Sequence, residues 1–160
     1  MVHQPLAYHG LVARDPLALE QQVCFALAVA ARSVVAAYRP VLEPLGLTHP
    51  QYLVMLALWQ HGPLSGVELS RLLDLDPGTV SPLVKRLESA GLVTRTRSLD
   101  DERTVVVAPT DEGAALRERA LKVPTTMLDR FGMDEDDLVR TNALLHEVIA
   151  SAHEATGRAR

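Results

Sequence analysis

The chain contains one cysteine, Cys24, inside the almost unbroken apolar run EQQVCFALAV at residues 20–29. A single cysteine excludes an internal disulfide framework and a zinc site built from cysteines. A thiol in such a place is usually a small packing residue. The alternative is redox chemistry, because a thiolate can be oxidised to a sulfenic acid. The residues around Cys24 leave both uses open.

Two histidines near the end of the chain are the remaining candidates for a metal site. His146 and His153 lie seven residues apart on a predicted helix. No cysteine or carboxylate stands at a spacing that would complete the ligand set, so we expect a solvated pair and no metal. The sequence has no G-x-S-x-G, H-E-x-x-H or phosphate-loop motif. We therefore expect neither an enzyme nor a bound cofactor.

A basic segment at residues 77–98 could contact nucleic acid. It carries four basic residues and one acidic residue, a net charge of +3 in a chain whose net charge is −4. Thr79 and Ser81 lie at the start of a predicted helix, where small hydroxyls can meet bases or phosphates. Farther on, Arg103 can enter a minor groove, and Asp101 can orient it by a charge-assisted hydrogen bond. The alternative is a solvated surface helix.

The elements that must position these residues begin with a long helix. Asp15-Pro16 is a typical helix start, and Pro40 should stop the helix at about Arg39. The stretch from 23 to 37 is apolar on nearly all sides. A helix of this kind must be buried on most sides, so we expect it to form a subunit interface.

The rest of the chain is divided by capping residues and turns. Helix-start patterns occur at Thr48, Ser65, Asp76, Thr110 and the acidic stretch 133–137. Gly91 should end the helix that begins at Asp76. The β-branched stretches LVTRTR and RTVVVAP that follow predict a hairpin. Pro124 should kink the helix that begins at Thr110.

This order of elements predicts a mainly α fold with a small β-hairpin: a winged helix-turn-helix head on an interlocked helical dimerisation base. We expect an N-terminal dimerisation helix and connector at 1–47, a DNA-binding domain at 48–109 and C-terminal dimerisation helices at 110–160. The second helix of such a motif enters the major groove of double-stranded DNA. The residues expected to contact DNA are Pro77, Thr79, Ser81, Lys85, Arg86, Arg95, Asp101 and Arg103.

The segment LDPGTVSPLVKRLESAGLVTR, followed by DDER, resembles the MarR family of dimeric winged-helix transcription regulators, and the likeness covers roughly residues 15–155. Within that family, VCFALAVAARSVVAAYRPVLEPLGLTHPQYLVMLALW is similar to the N-terminal stretch of the organic hydroperoxide-resistance regulators. The resemblance implies a homodimer and places Cys24 at their reactive cysteine. Of the tyrosines around that cysteine, only Tyr38 matches; Ala28 and His49 occupy the other two positions.

The resemblance therefore implies a redox-sensing set of Cys24, Tyr38 and His49. Cys24 and Tyr38 are 14 residues apart on one predicted helix, a rise of about 21 Å. They can meet only across a dimer. His49 can donate a hydrogen bond in place of a tyrosine, and its charge would make the response pH-dependent. With no second cysteine, a small external thiol or further oxidation would complete the switch.

We expect a DNA-binding repressor that leaves a pseudo-palindromic operator when an organic hydroperoxide oxidises Cys24. In the first alternative, a small aromatic or phenolic ligand between base and head releases the repressor, and Cys24 is structural. In the second, the protein is a helical interaction module without DNA function. Arg32 and Ser33 interrupt the apolar run at 23–31, short of the roughly 20 residues of a membrane span. With no signal-peptide pattern, we expect a cytoplasmic protein and no membrane partner.

Overall fold

The computed structural model describes residues 15–97 and 104–157, which form a mainly helical fold with a small antiparallel sheet. The elements are α1 Val23–Leu42, α2 His49–His61, β1 Leu64–Ser65, α3 Gly66–Leu73, α4 Pro77–Ser89, β2 Val93–Arg97, β3 Val105–Pro109, α5 Asp111–Ala120, α6 Val123–Phe131 and α7 Glu135–Thr156. This order matches the fold class predicted from the sequence.

The first helix begins later than predicted. Asp15 caps a turn instead of a helix, because its carboxylate accepts a hydrogen bond from the Leu17 N–H and its carbonyl accepts one from the Ala18 N–H, both at 3.0 Å. A short 3-10 turn follows, and α1 starts only at Val23. The Asp-Pro pattern therefore marks a turn here, because aspartate and proline favour turns as well as helix starts.

Pro40 lies inside α1, so the prediction that it stops the helix near Arg39 was wrong. A proline removes one backbone hydrogen bond. So close to the C-terminus the helix tolerates that loss and continues to Leu42. The chain then makes a 3-10 turn over Glu43–Leu45, and Gly46 ends it in the left-handed conformation with φ of 69°.

Capping side chains begin the next helices where the sequence predicts them. The Gln51 side-chain oxygen accepts hydrogen bonds from the backbone N–H and the hydroxyl of Thr48, both at 2.9 Å. The Glu68 carboxylate accepts from the Ser65 N–H at 2.7 Å and from the Ser65 hydroxyl at 2.8 Å. These bonds hold the pKa of Glu68 below its ordinary value. The capping boxes thus fix the starts of α2 and α3.

The predicted hairpin is formed by β2 and β3, and a third strand joins it. The strand order is β1-β3-β2, all antiparallel, with Leu64 opposite Val107 and Val93 opposite Pro109. The sequence pattern missed β1 because two residues are too few to show an alternation. The hairpin loop at 98–103, which includes the predicted DNA contacts Asp101 and Arg103, lies outside the described residues.

Pro124 does not kink one helix, as predicted, but lies in the first turn of a separate helix. α5 ends before Pro124, and Pro124 is the second residue of α6. At the start of a helix a missing N–H leaves no helical hydrogen bond unmade. The two predicted caps on either side are confirmed. Thr110 accepts from the Gly113 N–H at 3.0 Å, and Asp134 accepts from the Asp137 N–H at 2.8 Å.

The core of the head lies among α2, α3, α4 and the sheet. Leu58, Leu69 and Leu87 are at most 1% exposed. Val80, Val84 and Leu87 occupy one face of α4, at the spacing that places side chains on one side of a helix. Full burial of such a side chain contributes about 1.5–3 kcal/mol. This buried face holds α4 against the head and leaves its other face exposed.

The described chain divides into two compact units, with the boundary at Ala36. In the first unit, the apolar side chains Val23, Phe25, Val29 and Val34 are exposed. By length and composition alone, the stretch Val23–Leu45 would also suit a membrane span. A helix so apolar and so little buried requires a cover. The domain boundaries predicted at 47 and 109 stay a prediction.

The last helix likewise has an uncovered apolar face. No residue of α7 is buried. Leu138, Leu144, Leu145 and Ile149 are exposed on it. These side chains of the last helix therefore lie on the surface of the described residues.

Candidate nucleic-acid interface and thiol site

A helix-turn-helix is formed by α3, a tight turn and α4. Asp74 ends α3 in the left-handed conformation, with φ of 51°. Asp76 then caps α4, accepting from the Thr79 N–H at 3.0 Å and from the Thr79 hydroxyl at 2.7 Å. These hydrogen bonds from Thr79 hold the pKa of Asp76 below its ordinary value. The Thr79 hydroxyl therefore enters any contact as an acceptor, since its proton is already donated.

The outer face of α4 carries the predicted contact residues. Pro77, Thr79, Ser81, Lys85 and Arg86 are all exposed. Pro82 lies on the same exposed side, within the helix. The structure thus brings the predicted α4 residues together on one solvent-facing surface that is polar near its N-terminus and basic farther along.

Arg95, on β2, extends this surface and has a partner that sequence reasoning missed. Its Nε lies 3.2 Å from Oε2 of Glu88 on α4, with the two side chains 40% and 39% exposed. A surface pair of this kind contributes about 0–1 kcal/mol. The available signal was the opposite charge of two residues on consecutive elements, but it carries no information about distance.

A cavity of about 450 Å³ lies within the head, between α3, α4 and the hairpin. Apolar side chains dominate its wall, and Ser81 and Arg95 add polar groups; Val67, Val80, Val84 and Val107 are among the apolar ones. A mostly apolar cavity with one cation and three hydroxyls, those of Ser65, Ser81 and Thr104, can accept a small apolar acid. It is formed by head elements alone, whereas the sequence-based alternative expects a ligand between head and base.

Cys24 lies in the first turn of α1, and its side chain is exposed. The helix is continuous from Val23 to Leu42, so 14 helical positions separate Cys24 from Tyr38. The single chain thus leaves untested the prediction that the two residues meet across a dimer.

Tyr38 and His49 form an edge-to-face pair, with ring centroids 5.1 Å apart. The ring centroids of Tyr52 and Tyr38 are 6.2 Å apart, and those of Tyr52 and Trp59 are 6.4 Å apart. The indole N–H of Trp59 donates to the Gly113 carbonyl at 2.9 Å. Burial raises the pKa of Tyr38 and lowers the pKa of His49. At neutral pH both rings are therefore neutral hydrogen-bond donors.

The two predicted solvated histidines differ in their surroundings. His146 is exposed, whereas His153 is half-buried and its Nε2 lies 2.9 Å from Oδ2 of Asp74. Within residues 15–97 and 104–157, no cluster of three or more His, Cys, Asp or Glu side chains has metal-binding geometry. The contact between His153 and Asp74 was not predicted, because 79 residues separate the two in sequence.

Comparison with known proteins finds one matching family and related transcriptional regulators. The model of the MarR family matches residues 47–105. The organic hydroperoxide resistance transcriptional regulator of Bacillus subtilis strain 168 is 39% identical over 140 residues, 88% of this chain and 95% of that protein. The HTH-type transcriptional regulator TtmR of Methylorubrum extorquens strain PA1 is 41% identical over 91% of this chain and 73% of that protein.

A solved structure shares the fold as well. The structure of reduced AbfR bound to DNA, a protein of Staphylococcus epidermidis, superimposes with a TM-score of 0.73 at 29% identity. The match covers 86% of this chain and 95% of that one. The similarity therefore includes the helices on both sides of the head, and not the winged helix alone.

Proposed function

The chain belongs to the MarR family of transcriptional regulators, and we propose that it is a cytoplasmic homodimeric repressor whose operator release is triggered by oxidation of Cys24. The observation that carries the DNA-binding part is the exposed outer face of α4, presented by a buried apolar face on its other side. The observation that carries the thiol part is the exposed position of the only cysteine at the start of an uncovered apolar helix.

We assign the DNA contacts to the head. The small side chains Pro77, Thr79 and Ser81 are at the N-terminal end of α4, the end that faces base edges in helix-turn-helix proteins. Lys85 and Arg86 follow at positions suited to phosphates. Arg95 adds a cation from the first strand of the hairpin, and Asp101 with Arg103 would extend the contact at the hairpin loop. Because the whole chain is acidic, this local positive surface would have to supply the attraction to DNA phosphates.

A second copy of the chain is the proposed cover for the apolar faces of α1 and α7. Both helices expose large aliphatic side chains, among them Val29 and Val34 on α1 and Leu145 and Ile149 on α7. Burying this surface in a dimer removes it from water, the dominant favourable term in most associations. Two heads on one base would then meet two half-sites about one helical turn apart.

The redox step is a two-electron oxidation of the thiol. The Cys24 thiolate sulfur attacks the distal oxygen of an organic hydroperoxide, the O–O bond breaks, and the alkoxide takes a proton and leaves as the alcohol. The sulfur is oxidised to a sulfenic acid. The first turn of a helix favours the negative charge on sulfur. The partner's Tyr38 and the partner's His49, both neutral donors at neutral pH, would supply hydrogen bonds to it.

The test compares operator binding by the wild type and by Cys24→Ser before and after cumene hydroperoxide. Before the treatment, we expect both reduced proteins to bind the operator with equal affinity. After the treatment, we expect only the wild type to release it. Release of both proteins, or of neither, contradicts the thiol mechanism. Failure of both to bind any duplex contradicts the DNA assignment itself. Affinity should also fall steeply with added salt, because phosphate contacts release counterions.

A second candidate, release by a small apolar acid, is favoured by one observation: the cavity of about 450 Å³ with Arg95 and Ser81 in its wall. Benzoate is a suitable probe because it combines an aromatic ring with a carboxylate. If benzoate releases Cys24→Ser from the operator and peroxide has no effect on the wild type, ligand release replaces thiol oxidation as the trigger.

A further inference from the structure

A side-chain contact joins the last helix to the turn of the helix-turn-helix. Nε2 of His153 lies 2.9 Å from Oδ2 of Asp74, so the imidazole N–H donates to the carboxylate. His153 is in the last turn of α7, and Asp74 ends α3. The side chains are 22% and 56% exposed, respectively. The contact therefore links an element that we assign to the dimer base with the element that precedes the DNA-contacting helix.

Asp74 lies in the turn between α3 and α4, so its contact with His153 can affect the position of α4. Asp74 is in the left-handed conformation, the only such non-glycine residue in the part of the chain that the structure describes. Its backbone N–H bonds back to α3 through the Arg71 carbonyl. Two residues later, Asp76 caps α4. A force on the Asp74 side chain therefore acts at the turn that sets where α4 begins.

Charge makes the contact sensitive to pH. Histidine changes its charge between about pH 5 and pH 8. When the imidazole is protonated, its hydrogen bond to the carboxylate is charge-assisted and roughly twice as strong as a neutral one. The charged side chains closest in sequence to the pair are Arg71 on α3, Asp76 at the start of α4 and Glu154 beside His153 on α7, and each of these three elements carries at least one further charged residue.

We propose that His153 is a positioning residue for DNA binding: through Asp74 it anchors the turn of the head to α7, most firmly at low pH. This inference depends on the DNA-binding function proposed above. An anchored head holds the two copies of α4 at a defined spacing, which a two-half-site operator requires. Operator affinity therefore falls as the pH rises and the imidazole loses its proton.

The experiment measures operator affinity by fluorescence anisotropy at about pH 6 and about pH 8, within the range in which histidine titrates. Ionic strength is held constant and Cys24 is kept reduced. For the wild type we expect affinity to be about three- to tenfold lower at the higher pH, the effect of a weak charged pair in each of two subunits. His153→Gln and Asp74→Asn should lose this dependence. Asparagine is chosen because it also tolerates the left-handed conformation.

Two further variants separate positioning from other histidine effects. His146→Gln, a change two turns earlier on the same helix, should keep the wild-type pH dependence. His153→Lys supplies a cation at both pH values, and we expect it to bind tightly at both. If His153→Gln keeps the wild-type pH dependence, the proposal is overturned.

Amide hydrogen exchange at residues 71–76 of the free protein, corrected for intrinsic rates, tests the contact without DNA. Protection should be greater at the lower pH in the wild type and independent of pH in His153→Gln. A pH response in exchange without one in affinity overturns the positioning role. If no variant binds DNA, the proposed function fails, and equal protection at both pH values in the wild type would separately overturn the anchoring contact.

Discussion

Gly113 packs against the backbone of Leu92 in the head, and Gly113→Ala is expected to be strongly destabilising. Gly113 lies in the first turn of α5. A Cβ at this position would lie 1.9 Å from the backbone oxygen of Leu92 and 2.9 Å from its carbonyl carbon. Backbone atoms cannot rotate away as a side chain does. The start of α5 must therefore move away from the loop that follows α4.

The size of the effect follows from what that movement disturbs. Overpacking costs about 1–3 kcal/mol. Two hydrogen bonds at Gly113 are strained as well, one from the Trp59 indole N–H to its carbonyl and one from its N–H to the Thr110 hydroxyl; each contributes about 1 kcal/mol. The higher helix propensity of alanine returns about 1 kcal/mol. The free energy of unfolding should fall by about 2–4 kcal/mol.

Urea unfolding at one fixed protein concentration measures this change, followed by the fluorescence of Trp59, the only tryptophan. Gly66→Ala is the matched control, because Gly66 is the first residue of α3 and a Cβ there meets nothing within 4 Å. This control should be unchanged or stabilised by up to about 1 kcal/mol. If Gly113→Ala unfolds at the same urea concentration as the control, the packing argument is refuted.

Three other changes test the core, the imidazole and the basic surface. Leu87→Ala, at a wholly buried position, should lower the free energy of unfolding by about 2–5 kcal/mol, and Arg86→Ala, at the exposed neighbour, should change it by less than about 0.5 kcal/mol; equal losses would place the core elsewhere. Because burial lowers the pKa of His49, the folded state binds fewer protons than the unfolded state, so stability should rise as the pH increases toward the ordinary histidine pKa and level off above it. Urea midpoints from about pH 5 to about pH 7 should show a smaller rise in His49→Gln, and an unchanged rise would contradict this origin. Glu88→Gln removes the carboxylate paired with Arg95, so it should bind the operator more tightly and with a steeper salt dependence; a fluorescence titration that shows neither change would leave Arg95 without a role at the DNA.

The parts of the fold that the sequence predicts correctly are those decided by residues close to one another in the chain. Thr48 and Ser65 begin helices because their partners stand three residues away, within reach of a capping box. The prolines were harder to interpret. Pro40 and Pro124 each lack a backbone N–H, but whether a proline stops a helix, is tolerated within it or lies in its first turn depends on its distance from the helix ends.

The candidate site shows the same division. The α4 residues were predicted from a short segment, and their exposure follows from one amphipathic helix. The pairs Arg95–Glu88 and His153–Asp74 were missed, because opposite charges in a sequence do not say which elements pack together. The surroundings of Cys24 are harder still to predict. Its proposed neighbours belong to a second copy of the chain, so neither the sequence nor the fold of one subunit supplies them.

The proposed dimer and its binding to DNA are tested most directly by the mass of the protein alone and on DNA, measured by native mass spectrometry. We predict a free species of twice the 17.4 kDa chain mass and a complex of two chains on one operator duplex. A single chain at micromolar concentration, or two chains that bind no duplex containing a pseudo-palindrome, would contradict it.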